Sequence, residues 1–225
     1  MKKYRILAVT LARGGSKSIK KKNLALINGK PLIYYTIKEA LKSNLITRYI
    51  VSTDNKEIKK IAKKYGAEVP FLRPKKYATD KAKAVEADIH ALKWAEKEEG
   101  KKYDFFIELM PTNPFKSVRD IDNVLKKLIK SKADSVIGVV KVDDHHPLRI
   151  KKIVNGKIVN FSKNLKEIPE THRQQLRPKA YIRNGSIYAV KRDLIAKRKR
   201  YGTKNSIPYI MDSNKSINID TKIDL

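Results

Sequence analysis

The residues best suited to chemistry lie in one short segment, residues 11–23, with the sequence LARGGSKSIKKKN. Its two glycines, Gly14 and Gly15, allow the backbone to approach an anion closely and to turn its N–H groups toward it. The cations that can reach phosphate oxygens with charge-assisted hydrogen bonds are Arg13, Lys17 and Lys22. The segment therefore predicts a phosphate-binding loop, with a solvated basic loop as the alternative.

This loop matches neither of two common nucleotide-binding patterns. A Walker A loop has Gly directly before its Lys and a second Gly five residues earlier. Relative to Lys17, those positions hold Ser16 and Leu11. The G-x-G-x-x-G pattern of dinucleotide-binding folds is absent as well. Any phosphate site here must therefore be of another type.

The composition restricts the class of protein. The 225 residues are 41% hydrophobic, enough for a core, and the absence of Cys excludes disulfides, thiolate metal sites and cysteine nucleophiles. A net charge of +29, from 52 Lys and Arg against 23 Asp and Glu, would suit a polyanionic partner such as nucleic acid. Lys is nevertheless spread over nearly every predicted helix and turn. We therefore expect no dedicated nucleic-acid binding.

The hydropathy pattern bears on localisation. No apolar stretch approaches the roughly 20 residues that a membrane span needs. The first residues also lack the apolar region of a signal peptide. We therefore expect a cytoplasmic protein without a membrane partner.

The first half of the chain alternates strands with helices. Apolar, β-rich runs at 4–10 and 48–52 predict strands, and apolar residues at helical spacing follow each of them. The first helix is expected at 31–41, and the second follows Thr53-Asp54-Asn55, which can cap it, and stops at Gly66. A short third strand is expected at 67–72. Such alternation is typical of a parallel sheet with helical crossovers.

The second half continues this pattern and then changes character. A capping box of Ser117 and Asp120 opens one of its helices, and Asn155-Gly156 predicts a type I′ hairpin inside an antiparallel excursion at about 144–180. The other expected elements are a helix at 84–98, strands at 105–110, 135–140 and 181–190, the last with a turn or bulge at Asn184-Gly185, a basic helix or its remnant at 192–200, and short strands at 207–211 and 216–220. We expect one domain over residues 1–225 that carries this excursion.

Several segments, in order along the chain, together resemble the acylneuraminate cytidylyltransferases, the CMP-sialic acid synthetases. They are LARGGSKSIKKKN, IVSTDNKEI, FLRPKKYATD, PTNPF, DDHHPLRI, HRQQLRPKAYIRNGSIY and SINIDTKIDL. The resemblance implies a mostly parallel, Rossmann-like α/β nucleotidyltransferase sheet flanked by helices, and a homodimer formed through the antiparallel excursion. It further implies transfer of CMP from CTP to the anomeric hydroxyl of a nine-carbon 2-keto sugar acid, with Mg²⁺ and with release of pyrophosphate.

The resemblance also assigns residues to CTP. Those that match the family's CTP-binding loop are Arg13, Ser16, Lys17, Lys22 and Asn23. Because the sugar hydroxyl attacks the α-phosphorus in line, Arg13 and Lys22 are expected to stabilise transition-state charge. Arg73 matches a position that helps to recognise the cytosine side, with a surface cation before a proline turn as the alternative.

Other matching positions belong to the sugar acid. Arg149 and Arg173 fall at family positions for the sugar site, and Tyr188 lies on the strand beside it. Since an arginine can bind a carboxylate bidentately, Arg173 is the better single candidate. The adjacent His145-His146 pair is expected to shape the sugar pocket or a dimer contact, because neighbouring residues seldom point at one metal ion.

The expected metal ligands carry oxygen, since Mg²⁺ prefers carboxylate, phosphate and water. Asp220 is the candidate, both as metal ligand and as catalytic residue, with a helix cap before Thr221 as the alternative. The family usually has two Asp here, spaced by one residue, and Asn218 replaces the first. Asn218 can coordinate through its carbonyl or hold a metal-bound water, but it supplies no charge, so the number of metal ions stays open.

Two further departures concern the substrate. Met110 stands where sialic acid enzymes commonly carry Gln, and Ala84 where Ser is frequent. An apolar Met110 would suit a deoxy carbon, as in legionaminic and pseudaminic acid. The alternatives are an enzyme for the eight-carbon acid KDO, whose relatives lack the HRQQ…RNGSIY segment, a basic nucleic-acid-binding protein, and a relative that binds nucleotide without turnover.

Overall fold

A computed structural model describes residues 4–16, 18–142, 144–164, 171–199 and 203–225. The strands among these residues are β1 (Ile6–Leu11), β2 (Arg48–Ser52), β3 (Phe105–Leu109), β4 (Ser135–Lys141), β5 (Lys151–Val154), β6 (Lys157–Asn160), β7 (Tyr181–Lys191) and β8 (Ser206–Ile210). The α-helices are α1 (Leu32–Leu41), α2 (Lys56–Lys64), α3 (Ala84–Glu99), α4 (Val118–Lys130) and α5 (Arg192–Ala196). A two-residue ladder also pairs Leu26–Ile27 with Lys30–Pro31.

The central sheet has the strand order β8-β4-β7-β3-β1-β2. The pairs β1–β2, β1–β3 and β4–β8 are parallel, whereas β7 runs antiparallel to both of its neighbours. The prediction of a mostly parallel α/β sheet is therefore confirmed. The carboxyl ends of β1, β2 and β3 share one edge of the sheet, where loop residues can converge.

Helices cover the sheet on both faces. On one face, Ile6 and Ala8 of β1 belong to a core shared with α1, α2 and α4. On the other, Leu7 and Val9 belong to a core shared with α3 and α5. Because alternate residues of a strand point to opposite faces, burial on both explains why the inner strands are continuous apolar runs.

The start signals that the sequence predicted for α2 and α4 are confirmed. The Asn55 side chain accepts hydrogen bonds from the backbone N–H groups of Glu57 and Ile58 and so caps α2. Ser117 and Asp120 form the reciprocal capping box of α4. Each cap satisfies N–H groups that lack partners within the helix.

The hairpin and the bulge are confirmed as well. Strands β5 and β6 pair antiparallel, and the turn residues Asn155 and Gly156 have φ values of 50° and 73°, as a type I′ turn requires. In β7, Gly185 has a φ of 60°, and the pairing of β7 with β4 shifts register between Ile137 and Val139. The hairpin lies inside the predicted excursion at 144–180, of which residues 165–170 lie outside the described part.

Two predicted strands are wrong. Residues 67–72 make a single bridge, Ile50 to Glu68, instead of a strand, and Pro70 has no N–H with which to extend it. Residues 216–220 pair with none of the described strands, and the Ile219 N–H instead donates to the Thr112 carbonyl oxygen of the turn after β3. Of the basic helix or its remnant predicted at 192–200, the structure has the remnant, which ends at Ala196. In addition, Pro31 is the N-cap of α1 and not its first helical residue.

The helices can also be compared with the thickness of a bilayer. Among the described residues, no helix combines the length and the apolar character that crossing a membrane requires. The longest of them is α3, whose exposed residues include the charged side chains of Lys93, Lys97 and Glu98.

Candidate functional site

A cavity of about 600 Å³ opens at the carboxyl ends of β1 and β3. Its walls come from the loop after β1, the turn after β3, the segment around Arg73 and the residues near the carboxyl end of the chain. The predicted site residues that line it are Arg13, Ser16, Lys22, Asn23, Arg73, Asn218 and Asp220. The structure thus brings together most of the residues that were assigned to nucleotide and metal. Lys17 lies outside the described residues.

The backbone of the β1 loop is fixed by two side chains. The Gly14 N–H donates to Asp54 Oδ1 at 2.9 Å. The buried Asn23 donates from Nδ2 to the Arg13 carbonyl oxygen at 3.0 Å. Asp54 follows β2 and Asn23 is the last residue of the loop segment, so these two hydrogen bonds fix the loop backbone at Gly14 and Arg13. Such preorganisation lowers the cost of orienting a bound anion.

The two loop glycines differ in their surroundings. A Cβ at Gly14 would lie 2.8 Å from Asn55 Nδ2 and 2.9 Å from Asn55 Cβ, whereas a Cβ at Gly15 would meet nothing within 4 Å. We expected both glycines to allow approach to an anion. At Gly14 the close neighbour is instead the cap of α2, so this glycine is required for packing the loop against that helix.

The two cations assigned to charge stabilisation each contact a carboxylate. Arg13 Nη1 lies 2.7 Å from Asp80 Oδ1. Lys22 Nζ lies 2.8 Å from Asp220 Oδ1. All four side chains line the cavity. The carboxylates hold both cations at the cavity wall, where an entering polyphosphate would meet them.

Arg73 is buried and is not the surface cation that was the alternative. Arg73 is 5% exposed, and its backbone N–H donates to the Thr53 carbonyl oxygen at 2.7 Å. Burial lowers the pKa of its guanidinium, while the nearby carboxylates of Asp54 and Asp88 counteract that shift. Arg73 Nη2 lies 3.8 Å from Asp54 Oδ1, the oxygen that also accepts from Gly14. Asp54 therefore couples the arginine to the loop.

Asn218 and Asp220 both line the same cavity. Asn218 donates from Nδ2 to the Asn184 carbonyl oxygen at 2.8 Å. This contact fixes the amide, and its Oδ1 is buried without a hydrogen-bond partner among the described residues. The helix-cap alternative for Asp220 is wrong, because Thr221 is the cap of the last 3₁₀ turn and Asp224 completes its capping box.

Asn218 and Asp220 together offer a small number of oxygen ligands for a metal ion. In the part of the chain that the structure describes, no group of three or more His, Cys, Asp or Glu side chains is placed to hold one. One carboxylate and one amide oxygen nevertheless fit a hard cation that takes its other ligands from water and phosphate, which is the usual manner of Mg²⁺. The chemistry of the residues present is therefore compatible with Mg²⁺.

The residues assigned to the sugar acid do not line this cavity. Arg173 lines a second cavity of about 380 Å³, whose other basic residues are Lys141, Arg177 and Lys179. Arg173 Nη1 lies 2.5 Å from Asp144 Oδ1, and Arg149 donates to the Thr171 carbonyl oxygen at 2.8 Å. Tyr188 is buried within β7. The single chain thus separates these three residues from the nucleotide-type site.

The His145-His146 pair does not form a metal site among the described residues. His146 is buried, and its Nε2 lies 2.9 Å from the Pro178 carbonyl oxygen. Its Nδ1 accepts from the Leu148 N–H at 3.3 Å. Since both ring nitrogens contact backbone, His146 shapes the wall of the second cavity that it lines.

The sequence interpretation missed several residues of the first cavity. They are Asp80, which pairs with Arg13, and Tyr77 and Thr112, which line the wall; Asp54, which anchors the loop without lining the cavity, was missed as well. All four lie in segments that carried the resemblance, so the available signal was their position in those segments. Met110 and Ala84, the two noted departures, both line this cavity.

Comparison with known proteins decides the class of the enzyme. Residues 7–213 match the family described as Cytidylyltransferase. The chain belongs to this family. As a cytidylyltransferase it catalyses CMP transfer from CTP, which accounts for a cavity that combines cations, a preorganised loop and oxygen donors at the carboxyl edge of the sheet.

Three relatives align over nearly the whole chain. The post-translational flagellin modification protein B of Campylobacter coli is 34% identical over 97% of this chain and 91% of its own length. The CMP-N,N'-diacetyllegionaminic acid synthase of Legionella pneumophila is 34% identical over 98% of this chain and 93% of its own length. The N-acylneuraminate cytidylyltransferase of Escherichia coli O18:K1:H7 is 32% identical over 98% of this chain but 50% of its own.

A solved structure shares the fold of this cytidylyltransferase. The CMP:2-keto-3-deoxy-manno-octonic acid synthetase, determined in complex with CTP, superposes with a TM-score of 0.69. The sequences are 18% identical over 97% of this chain and 94% of that one. At this identity the likeness establishes the nucleotidyltransferase architecture, and the first cavity lies at the edge of the sheet where such folds bind ligands.

Proposed function

We propose that this cytidylyltransferase transfers CMP from CTP to the anomeric hydroxyl of a nonulosonic acid, a nine-carbon 2-keto sugar acid, and releases pyrophosphate. The observation that carries the proposal is the first cavity, in which Arg13, Lys22 and Arg73 face the oxygen donors of Asn218 and Asp220. The names of the flagellin-modifying, legionaminic acid and neuraminate relatives support the class of acceptor.

Each wall of the cavity suits one part of CTP. The triphosphate lies against the β1 loop, where Arg13, Ser16 and Lys22 contribute cations and a hydroxyl. Arg73, held by Asp54 and the Thr53 carbonyl, faces the cytosine side. Because phosphoryl transfer needs little covalent chemistry from the protein, the reaction depends on fixed positions and charge neutralisation.

The oxygen donors suit a divalent cation at the same site. We propose that Asp220 and Asn218 would hold Mg²⁺ here. When bound, Mg²⁺ supplies charge neutralisation at the phosphate oxygens. Lys22, which contacts Asp220, would stabilise the charge of the leaving pyrophosphate.

The acceptor is proposed to be a deoxy sugar acid of the legionaminic type. Part of the wall of the first cavity is apolar and is formed by Ala82, Ala84, Ala87, Met110 and Pro111. Such a wall makes no hydrogen bond to a sugar hydroxyl, so it favours a substrate with a methyl or deoxy carbon at that place. A relative that is 34% identical is named for diacetyllegionaminic acid.

The active unit is proposed to be a homodimer. Ile153 and Ile158 are paired across the β5–β6 hairpin and are 78% and 75% exposed. Val159 and Phe161 are further exposed apolar residues of the same hairpin region. A second copy of the chain packed on this surface would bury them.

The deciding experiment measures pyrophosphate release from CTP and Mg²⁺ with each of four sugar acids. The acceptors are N,N'-diacetyllegionaminate, pseudaminate, N-acetylneuraminate and KDO, and the nucleotide controls are ATP, GTP and UTP. We expect release that requires CTP together with a nonulosonate, and the highest kcat/KM with diacetyllegionaminate. Release with KDO alone would contradict the proposed acceptor class, and a preference for N-acetylneuraminate would contradict the deoxy-sugar proposal.

A further inference from the structure

A buried lysine, Lys116, binds the turn after β3, residues 110–113. Lys116 is 1% exposed, and its ammonium donates to Thr36 Oγ1 at 2.8 Å and to the Met110 carbonyl oxygen at 2.7 Å. The same ammonium also donates to the carbonyl oxygen of Asn113. Lys116 thus contacts both ends of the turn and ties them to α1. Three acceptor oxygens satisfy its three N–H donors.

The side chain of Asn113 extends this attachment to the carboxyl-terminal segment. The residue is fully buried, and its Nδ2 donates to the carbonyl oxygens of Lys215 and Ile217, each at 3.1 Å. Its Oδ1 accepts from Ser186 Oγ of β7 at 3.0 Å. The neighbouring Thr112 carbonyl oxygen accepts from the Ile219 N–H at 2.8 Å.

These contacts position the residues that face the cavity. Residues 215–219 join no ladder of the sheet among the described strands, so their hydrogen bonds to the turn replace strand pairing. Asn218 lies between two of the attached residues, and Asp220 follows the last of them. The place of both oxygen donors relative to Lys22 is therefore set by the turn together with β7, whose Asn184 carbonyl oxygen accepts from Asn218 Nδ2.

We propose that Asn113 and Lys116 form a positioning unit for the metal- and phosphate-binding side of the active site. Lys116 fixes the shape of the turn, and the two donors of the Asn113 amide transfer that shape to the segment that carries Asn218 and Asp220. Neither residue touches the reacting atoms. The kinetic part of this inference rests on the proposed cytidylyltransfer to a sugar acid.

The chemistry of the amide explains why Asn serves at position 113. An amide offers two donors for the two carbonyl oxygens and one acceptor for the Ser186 hydroxyl. A carboxylate of the same shape offers acceptors only and would repel both carbonyl oxygens. Since misplacement by about 1 Å can cost about 100-fold in rate, loss of the two donors should lower turnover while the Arg73 side of the nucleotide site stays intact.

The test compares Asn113→Asp with Ser186→Ala. The first variant keeps the acceptor for Ser186 and removes both donors to the segment, and the second removes only the hydroxyl. For N113D we expect kcat to fall about 100-fold, with the KM for CTP within about 3-fold of the parent. S186A should retain kcat within about 3-fold. Equal losses in the two variants, or a loss confined to KM, would overturn the inference.

Two further measurements keep the test independent of folding and of the acceptor. Thermal unfolding shows whether N113D folds. If it does not, Asn113→Ser, which keeps one donor at most, takes its place and should have a kcat below those of the parent and S186A. Binding of Mn²⁺ in the presence of CTP, followed by electron paramagnetic resonance, should weaken in N113D and not in S186A. This readout needs no sugar acid. A parent without turnover would refute the proposed function, whereas unchanged Mn²⁺ binding in N113D would refute the positioning unit.

Discussion

Lys22 Nζ and Asp220 Oδ1 lie 2.8 Å apart, although 198 positions separate the two residues in the chain. The contact joins the loop after β1 to the segment near the carboxyl end, and both residues line the first cavity. It places a cation beside the carboxylate that we propose as a metal ligand. The opposite charges of the proposed phosphate site are thus assembled by the fold before any ligand binds.

Removal of either partner should impair the reaction. We expect Lys22→Met and Asp220→Asn each to lower kcat/KM by roughly 100- to 1,000-fold, because each removes a fixed charge that faces the transferring phosphate. The double variant should lose less than the product of the two single losses, since the residues contact each other. Pyrophosphate release provides the measurement, with the exposed Lys20→Met from the same loop as the control. Strict additivity would show that the contact has no part in catalysis.

Arg73 should govern the binding of CTP. Replacement by Met removes a buried guanidinium and leaves the Asp54 carboxylate without that cation, so we expect the KM for CTP to rise about 10- to 100-fold, in keeping with charged hydrogen bonds. The exposed neighbour Lys75→Met is the matched control. Isothermal titration with CTP should show the same difference in affinity. An R73M protein with normal affinity for CTP would exclude contact between Arg73 and the nucleotide.

Lys116 should make stability depend on pH. Burial lowers the pKa of its ammonium from 10.5 to about 7, and the Glu39 carboxylate counteracts part of this shift. Between these two values the unfolded chain binds more protons than the folded chain, so the free energy of unfolding contributed by Lys116 rises with pH. Lys116→Met lacks this dependence. The unfolding free energy of the parent minus that of K116M should therefore become more positive from pH 7.5 to pH 9.5.

The slope of that difference has an upper limit of about 1.4 kcal/mol per pH unit for one proton. Urea unfolding at several pH values gives the measurement, and subtraction of the K116M curve removes the contribution of the many exposed lysines. A difference that is constant over this range would mean that Lys116 keeps its ordinary pKa in the folded protein.

The hairpin should determine the oligomeric state. Ile153→Asp with Ile158→Asp places two charges on the exposed apolar pair, and we expect the assembly to change from dimer to monomer. Lys152 lies on the other face of β5 from Ile153, because alternate strand residues point to opposite faces. Lys152→Glu is therefore the control and should leave the dimer intact. Sedimentation velocity distinguishes the two states. A parent that is already monomeric would contradict the dimer proposal.

Met110 should influence the choice of acceptor. We expect Met110→Gln to raise kcat/KM for N-acetylneuraminate relative to diacetyllegionaminate by roughly 10-fold, because an amide can bond a sugar hydroxyl that a thioether cannot. Ala84→Ser on the neighbouring wall offers a second polar group for comparison. Steady-state kinetics with both acids gives the ratio. A ratio that does not change would place Met110 away from the part of the sugar in which the two acids differ.

The sequence was sufficient for the elements whose pattern is local. Strand β2, the Asn55 cap, the Ser117–Asp120 capping box and the I′ hairpin were predicted because their signals lie within a few neighbouring residues. The same kind of pattern gave strands at 67–72 and 216–220 that do not form. An apolar, β-rich run becomes a strand only where a neighbouring strand offers a full set of hydrogen-bond partners.

By itself, the sequence determined the alternating α/β architecture, the cation-bearing loop and seven of the residues that line the first cavity, through spacing and resemblance. Only the tertiary structure decided that Gly14 packs on Asn55, that Asp54 joins the loop to Arg73, that Lys116 is buried beneath the turn, and that Asn113 holds the segment with Asn218 and Asp220. The physical reason is that these contacts join residues far apart in the chain. Their energy depends on distance and burial, and periodicity along the chain encodes neither quantity.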